Sequence, residues 1–314
     1  MDGKEISIIG AGVIDILVGA VDEKILTRSS SSMDFIKMSF GGDALNEAIV
    51  LSRLGKKVQW ISKIGDDDAG QRILDYATQN GLSTDNIKIQ AGLDTGVNIV
   101  MVDAAGERHF LTNPRSSLRK LSEDDIIPHV DGMAHIVSFA SLFVSQLLDI
   151  AAMERVFKAI KSRGKILAVD STRPKNGETL EDLKNLFPHM DYFFPNEAEL
   201  ATLTGKDDIY KNIETLLSYG LGCAVVKRGG KGCIIATNSA QIDIAAYHVE
   251  KVIDTTGAGD CFAAGFLWAL SEGWTLEDCG KFACAVASCS VEEVGAVAGV
   301  TSLQKVMARY KCAF

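Results

Sequence analysis

Asp254-Thr255-Thr256-Gly257-Ala258-Gly259-Asp260 sets three of the smallest residues between two carboxylates and leads directly into the apolar run Cys261-Phe262-Ala263-Ala264-Gly265-Phe266. Gly257, Ala258 and Gly259 barely shield their own N–H groups, and the segment behind them has a helical pattern. Backbone donors and the positive end of the helix dipole therefore converge on one point, which binds an anion. Phosphoryl transfer uses such a point: the donors balance charge on the migrating phosphate while a carboxylate aligns the attacking hydroxyl. Asp260 is the expected base. Its place in the first helical turn predicts a lowered pKa, hence a carboxylate that orients the hydroxyl more than it deprotonates it. Charge compensation at a helix terminus would explain Asp260 alone, but not the second aspartate or the small residues.

Four further stretches carry ligand-binding residue types, each with a structural explanation beside it. Gly10-Ala11-Gly12 follows a strand-like run and opens a dinucleotide fingerprint, but Asp15 stands where the third glycine belongs, and a carboxylate there would repel a pyrophosphate. Asp15 is instead a candidate acceptor for substrate hydroxyls, or a turn aspartate at a strand end. Gly41-Gly42-Asp43-Ala44-Leu45-Asn46 either lets a ligand approach the backbone, with Asn46 one turn into the next helix, or is a flexible turn with an Asp cap. Pro195-Asn196-Glu197-Ala198-Glu199 places an amide and a carboxylate on one helix face, which suits Mg²⁺ held largely through water and equally a capping box. Lys227-Arg228-Gly229-Gly230-Lys231-Gly232 is a hairpin turn by its glycines, yet so many cations in an acidic chain also suit a polyphosphate.

The elements that must position these residues alternate. Strand-like runs at 6–10, 58–65, 134–140, 165–170, 191–195 and 223–229 are separated by helical patterns at 43–54, 68–80, 145–163, 196–204, 258–271, 275–290 and 302–311. That rhythm predicts an α/β fold with a mostly parallel sheet covered by helices. Residues 13–40 and 95–113 break it, reading as paired short strands with no helix between, and predict a small sheet standing off the main one. No repeat or linker divides the chain, so one domain over residues 1–314 is expected.

Composition narrows the function. Of 314 residues, 32 are Lys or Arg and 41 Asp or Glu, a net charge of -9 that argues against a nucleic-acid partner. The uncharged stretch 132–148 carries His135, several serines and Gln146, too polar and short for a membrane span. The N-terminus enters a strand without a basic or long apolar leader, and the seven cysteines form no CxxC pair; a cytoplasmic protein with reduced thiols is expected.

Asp254-Thr255-Thr256-Gly257-Ala258-Gly259-Asp260-Cys261-Phe262-Ala263-Ala264-Gly265-Phe266 resembles the C-terminal signature of the ribokinase-like (PfkB) carbohydrate kinases. The similarity runs along the chain through Gly41 to Gly55, Ile64 to Gly70 and Phe194 to Leu200. It implies a three-layer α/β/α fold with a small β-sheet lid over residues 13–40 and 95–113, often a dimer clasp, and ATP-dependent phosphorylation of a sugar. Asp260 would be the base and Gly257, Ala258 and Gly259 the anion hole. Asp15, Gly41, Gly42 and Asn46 match sugar-contacting positions, Asn196 and Glu199 the Mg²⁺ and phosphate motif, and Lys227, Gly229, Gly230 and Gly232 the nucleotide loop. Asp254 and Thr256, with carbonyls of Ser290, Glu293 and Gly295, match the site of a monovalent cation, K⁺ in many members. Arg173 stands where many members carry a phosphate-contacting arginine, although Ser171-Thr172 replaces the usual Pro-Asn, and Asp43 replaces a small residue, implying a more acidic pocket. Asn98, Arg108 and Arg115 are candidate lid contacts to the sugar; each has a solvated lid surface as its alternative, which is the preferred reading for Arg108 and an equal one for Arg115. A nucleoside kinase would instead need a base shelf from Phe35, Phe40 or Phe110, and a sensor without activity would not need Asp260.

Overall fold

In a parallel sheet covered on both faces, successive residues of a strand must bury apolar side chains on opposite sides. The chain does this: in the strand Ile6–Ile9 (β1), Ile6 and Ile8 pack into one core and Ile9 into the other. The structure, a computed structural model, describes residues 3–312. After β1 come β2 (Val13–Val21), β3 (Phe35–Gly41), β4 (Val58–Gly65), β5 (Ile87–Gln90), β6 (Val97–Asp103), β7 (Arg108–Thr112) and β8 (Ile136–Leu142). Then follow β9 (Ile166–Ser171), β10 (Tyr192–Phe194), β11 (Cys223–Lys227), β12 (Cys233–Ala236) and β13 (Gln241–Ile244). Nine strands form one sheet in the order β13-β12-β11-β10-β9-β8-β1-β4-β5, parallel from β11 to β5 and antiparallel at the β12-β13 edge. The helices Asp43–Arg53, Asp68–Gln79, Ala258–Ser271, Leu276–Ser290 and Leu303–Tyr310 contribute to one core, and Ile150–Lys161, Glu197–Thr204 and Ile209–Ser218 to the other. This is the expected three-layer arrangement. No helix among the described residues is long and apolar enough to cross a membrane.

The two irregular segments join into one four-stranded sheet, β3-β2-β6-β7. Its register aligns Asp15 with Ser39 and Asn98, and Asn98 with Thr112, so polar residues share one face. Ile16 aligns with Met38 and Ile99, and Ile99 with Leu111, which places an apolar row on the opposite face. The sequence pattern missed β5, β13 and the helix Ile209–Ser218. Both strands have only four residues and are largely exposed, too short for an alternation to register, and that helix follows another helix directly, against the β-α rhythm. The helix expected from 145 starts at Ile150, because Asp149 caps it by accepting a hydrogen bond from the Ala152 N–H.

Candidate active site

The strand order reverses direction of growth at β1 and β8, and a parallel sheet opens a crevice at the carboxyl ends of its strands at such a point. Asp43 and Asn46 enter from the helix after β3, Ser141 and Asp170 from the ends of β8 and β9, Lys227 from the end of β11, and Asp260 from the helix Ala258–Ser271. A cavity of about 630 Å³ lies there, roofed by Asp15, Asn98 and Phe110 of the smaller sheet and floored by Asn46, Gly259 and Asp260.

Gly257 holds the turn before Ala258 in shape. Its φ of 68° is left-handed, and a Cβ would lie 2.6 Å from the Ala296 carbonyl oxygen, so only glycine fits. Among the described residues no side chain caps the helix it opens; the Ala258 N–H donates to the Thr255 carbonyl at 3.3 Å, which leaves the first-turn N–H groups of Gly259 and Asp260 for a ligand. The helix is buried from Cys261 to Ala269, a rigid mount for the turn. Lys227 adds a cation: its Nζ is 3.4 Å from where a Cβ on Gly259 would lie.

The expected pKa of Asp260 is reversed. Burial, repelled further by the carboxylates of Asp43 and Asp170, raises it to about 8, against the hydrogen bond from Asn46 Nδ2 at 2.7 Å and the charge of Lys227. A helix dipole acts locally and weakly, whereas desolvation and two nearby like charges together outweigh it. Asp170 is itself raised to about 7 by burial despite two hydrogen bonds from Lys227 Nζ, at 2.8 and 2.6 Å. Asp43, which accepts from the Ser141 hydroxyl, is also raised by burial. A partly ionised carboxylate held at high pKa is a stronger base than the sequence implied.

Behind these lies Glu47, a group absent from the sequence-based site. It is 0% exposed, accepts from Ser138 Oγ at 2.7 Å through Oε2, and its Oε1 has no partner. Burial and repulsion from Asp170 push its pKa well above the usual range, so the folded protein holds it neutral. The stability it lends in that form is complete below the ordinary carboxyl value and is lost as pH rises toward the folded-state value, at about 1.4 kcal/mol per pH unit within that window. Glu47→Gln stays neutral at every pH, so the decline of Tm as pH rises above the ordinary carboxyl range is expected to flatten. Thermal denaturation across those pH values checks it; an unchanged slope would mean Glu47 is ionised in the folded chain.

Several expected residues do assemble. Asp15 accepts from Asn98 Nδ2 at 2.8 Å, and a side chain on Gly41 would come within 2.5 Å of Asp15 Oδ2, which explains that glycine. Gly42 caps the helix bearing Asp43 and Asn46 with a φ of 95°. Asn196 and Glu199 form the capping box: Asn196 Oδ1 accepts from the Glu199 N–H at 2.8 Å and Glu199 Oε2 from the Asn196 N–H at 2.9 Å. Burial raises the pKa of Glu199, and its Oε1 has no hydrogen bond within the protein among the described residues.

Others are placed differently. Lys227 turns inward to Asp170, while Arg228 and Lys231 pair with Glu197, so the cations of the nucleotide loop are compensated within the fold. Gly229 and Gly232 shape that turn with left-handed φ, and Gly230 lies between them in the same turn. Arg173 and Arg115 are exposed and line no part of the cavity; Arg119 and Lys175, which carried no motif, line it instead. Phe40, stacked on Tyr76 at 4.1 Å, lines the cavity together with Phe110, whereas Phe35 packs over Gly19 and does not line it.

Asp254 and Thr256, expected to ligate a monovalent cation, bond to each other and to Arg108. Asp254 Oδ1 accepts from the Thr256 N–H at 2.9 Å and Thr256 Oγ1 at 2.6 Å, and Oδ2 accepts from the Gly295 N–H at 3.0 Å. Arg108, crossing from β7, donates to Asp254 Oδ1 at 2.6 Å and to Thr256 Oγ1. Burial opposes ionisation of Asp254, but these donors outweigh it and hold the pKa below the usual range. The Ser290 hydroxyl donates to the Ala287 carbonyl and Glu293 is exposed, observations that leave the expected carbonyls of Ser290, Glu293 and Gly295 untouched. The Asp254 carboxylate expected to ligate the cation is paired with the Arg108 guanidinium.

The pfkB family carbohydrate kinase model matches residues 4–303. The chain is 30% identical over 243 residues to probable fructokinase-4 of Arabidopsis thaliana, covering 74% of this chain and 73% of that protein. It is 28% identical over 312 residues to ribokinase of Bacillus subtilis, covering 96% and 98%. Among solved structures, Arabidopsis thaliana ribokinase complexed with ribose and ATP shares the fold, with a TM-score of 0.84 and 24% identity over 99% of this chain and 100% of that one. With the match running from β1 to the threshold of the last helix, through both sheets and the turn that Gly257 shapes, this chain belongs to the pfkB family of carbohydrate kinases.

Proposed function

We propose that the chain transfers the γ-phosphate of ATP to a hydroxyl of a sugar held between the two sheets, with Asp260 as the base. The observation that carries the reading is the meeting of Asp260, the uncapped N–H groups of its helix and Lys227 in the cavity that Asp15 and Asn98 roof. The substrate hydroxyl approaches Asp260, which orients it and takes its proton, while the first-turn N–H groups and Lys227 stabilise charge on the phosphate. Asp15, Asn98 and Asn46 supply acceptors and donors for the other hydroxyls. Glu199, with a free oxygen beside Lys227 and Asp170, suits Mg²⁺ held through water on the ATP phosphates. ADP release from ATP and Mg²⁺ across neutral sugars, anionic sugars and nucleosides tests the reading; no release with any sugar would overturn it.

In this reading the chain works as one kinase domain and the smaller sheet is its lid, excluding water that would otherwise hydrolyse ATP. Its outer row, with Met38, Ile99 and Leu111 exposed, suits a clasp between two copies. Six buried and one exposed free thiol suit a reducing, cytoplasmic setting. Arg108 latches the lid to the Asp254 loop and supplies the positive charge that this carboxylate needs. Replacing K⁺ by tetramethylammonium is therefore expected to leave initial rates largely unchanged, and to lower them in Arg108→Ala, where a small cation must take over. Equal K⁺ dependence in both proteins would remove Arg108 from this role.

A further inference from the structure

The cations of the cavity divide into two kinds. Lys227 is held by Asp170 and Arg108 by Asp254, each within the fold. Arg119 and Lys175 line the same cavity, and no carboxylate among the described residues pairs with either. Arg119 is half-buried, and its Nη1 donates to the Val144 carbonyl at 2.7 Å, which fixes the guanidinium while leaving its other N–H groups unused. The Lys175 backbone N–H donates to Glu178 Oε2 at 3.0 Å, and its ammonium makes no hydrogen bond among the described residues. Burial, and then the neighbouring Arg119, hold its pKa below the usual lysine range. Lys175 is exposed at the edge of the cavity, and two unpaired cations lining one cavity repel each other unless an anion comes between them.

Their position relative to the chemistry follows from the shape of the cavity. At one end it meets a second cavity of about 560 Å³, and the two share Arg119, Lys175, Val144 and Ser145, whereas Asn46, Gly259 and Asp260 line the first alone. The pair therefore lies at the end away from the base, and the site has room for more than a bare ring.

We propose that the sugar accepted here carries an anionic group, a carboxylate or a phosphate monoester, at the end remote from the hydroxyl that Asp260 serves, and that Arg119 and Lys175 bind it. The inference rests on the kinase reading and names the substrate class within it. A planar guanidinium offers two parallel donors to either oxyanion, and the ammonium adds a point charge beside it.

The test measures ADP release with ATP and Mg²⁺ on matched pairs: ribose against ribose 5-phosphate, fructose against fructose 6-phosphate, and glucose against gluconate and glucose 6-phosphate. An anionic member is expected to exceed its neutral counterpart in kcat/KM by about tenfold or more, the worth of one charge-assisted hydrogen bond. Whether gluconate or a phosphate wins identifies the group. In Arg119→Gln and Lys175→Gln the anionic-to-neutral ratio is expected to fall about tenfold, through the KM for sugar and not for ATP. Thermal denaturation of each variant separates this from loss of fold. Turnover confined to neutral sugars, an equal fall for both members of a pair, or a rise in the KM for ATP alone would overturn the inference while leaving the kinase intact. No phosphorylation of any sugar would overturn both.

Discussion

Asp260→Asn is expected to lower kcat by about 10²- to 10⁴-fold, the usual worth of a positioned general base, with little change in the KM for ATP. The side chain keeps its shape and its neighbour Asn46, so the loss reports proton acceptance and not packing. The pH dependence carries the sharper signature. Only the ionised carboxylate accepts the proton, so kcat/KM should rise with pH along an acid limb placed near the raised value of about 8, well above the ordinary carboxyl range. Because Asp43 repels Asp260, the limb belongs to the pair, and Asp43→Asn is expected to move it to lower pH. The same repulsion predicts that Asp260→Asn is more stable than the parent at alkaline pH, since a neutral amide removes one charge from a crowded group. Steady-state rates from pH 5.5 to 9.5 with parallel thermal denaturation provide the check. Activity close to that of the parent, or a limb at an ordinary carboxylate pKa, would take Asp260 out of the role.

Lys227→Met should cost both stability and turnover. Lys227 and Asp170 are 13% and 5% exposed, and removing one partner of a buried pair typically costs about 3–5 kcal/mol because the other charge is left uncompensated. The cost depends on pH with a definite sign. Asp170 titrates at about 7 even with its partner present, and without it the carboxyl holds its proton to higher pH. The penalty is therefore small in acid, where Asp170 is neutral in any case, and grows as pH rises. Asp170→Asn in the same chain is expected to recover most of the lost stability and none of the lost rate, because the cation beside Gly259 is still missing. Loss of that charge from the anion hole should lower kcat by about 10²-fold or more. Denaturant titrations at two pH values, with rates for both variants, decide the matter; a penalty independent of pH would show that Lys227 acts through packing alone.

Features set by near neighbours were legible in the sequence. The alternation of apolar runs revealed the parallel sheet, the unbroken β patterns revealed the smaller one, and Gly257 to Asp260 announced a helix start. The Asn196 and Glu199 capping box, one of two readings left open by spacing, formed as a local motif. Each depends on residues within a turn or two of chain, where backbone geometry and side-chain size suffice.

Partners and charge states were settled only by the tertiary structure. Lys227 sits in a loop full of basic residues, yet it is drawn to Asp170 once β9 and β11 end side by side. Arg108 looks like a lid surface residue until β7 brings it over Asp254, and Arg173 carries the more familiar signal but points outward while Arg119 and Lys175 line the cavity. Glu47 and the raised pKa of Asp260 belong to the same class. A carboxyl's pKa in a crevice is set by how much water it loses and by which charges stand within a few ångströms. Those distances exist only after strands and helices from remote parts of the chain have converged.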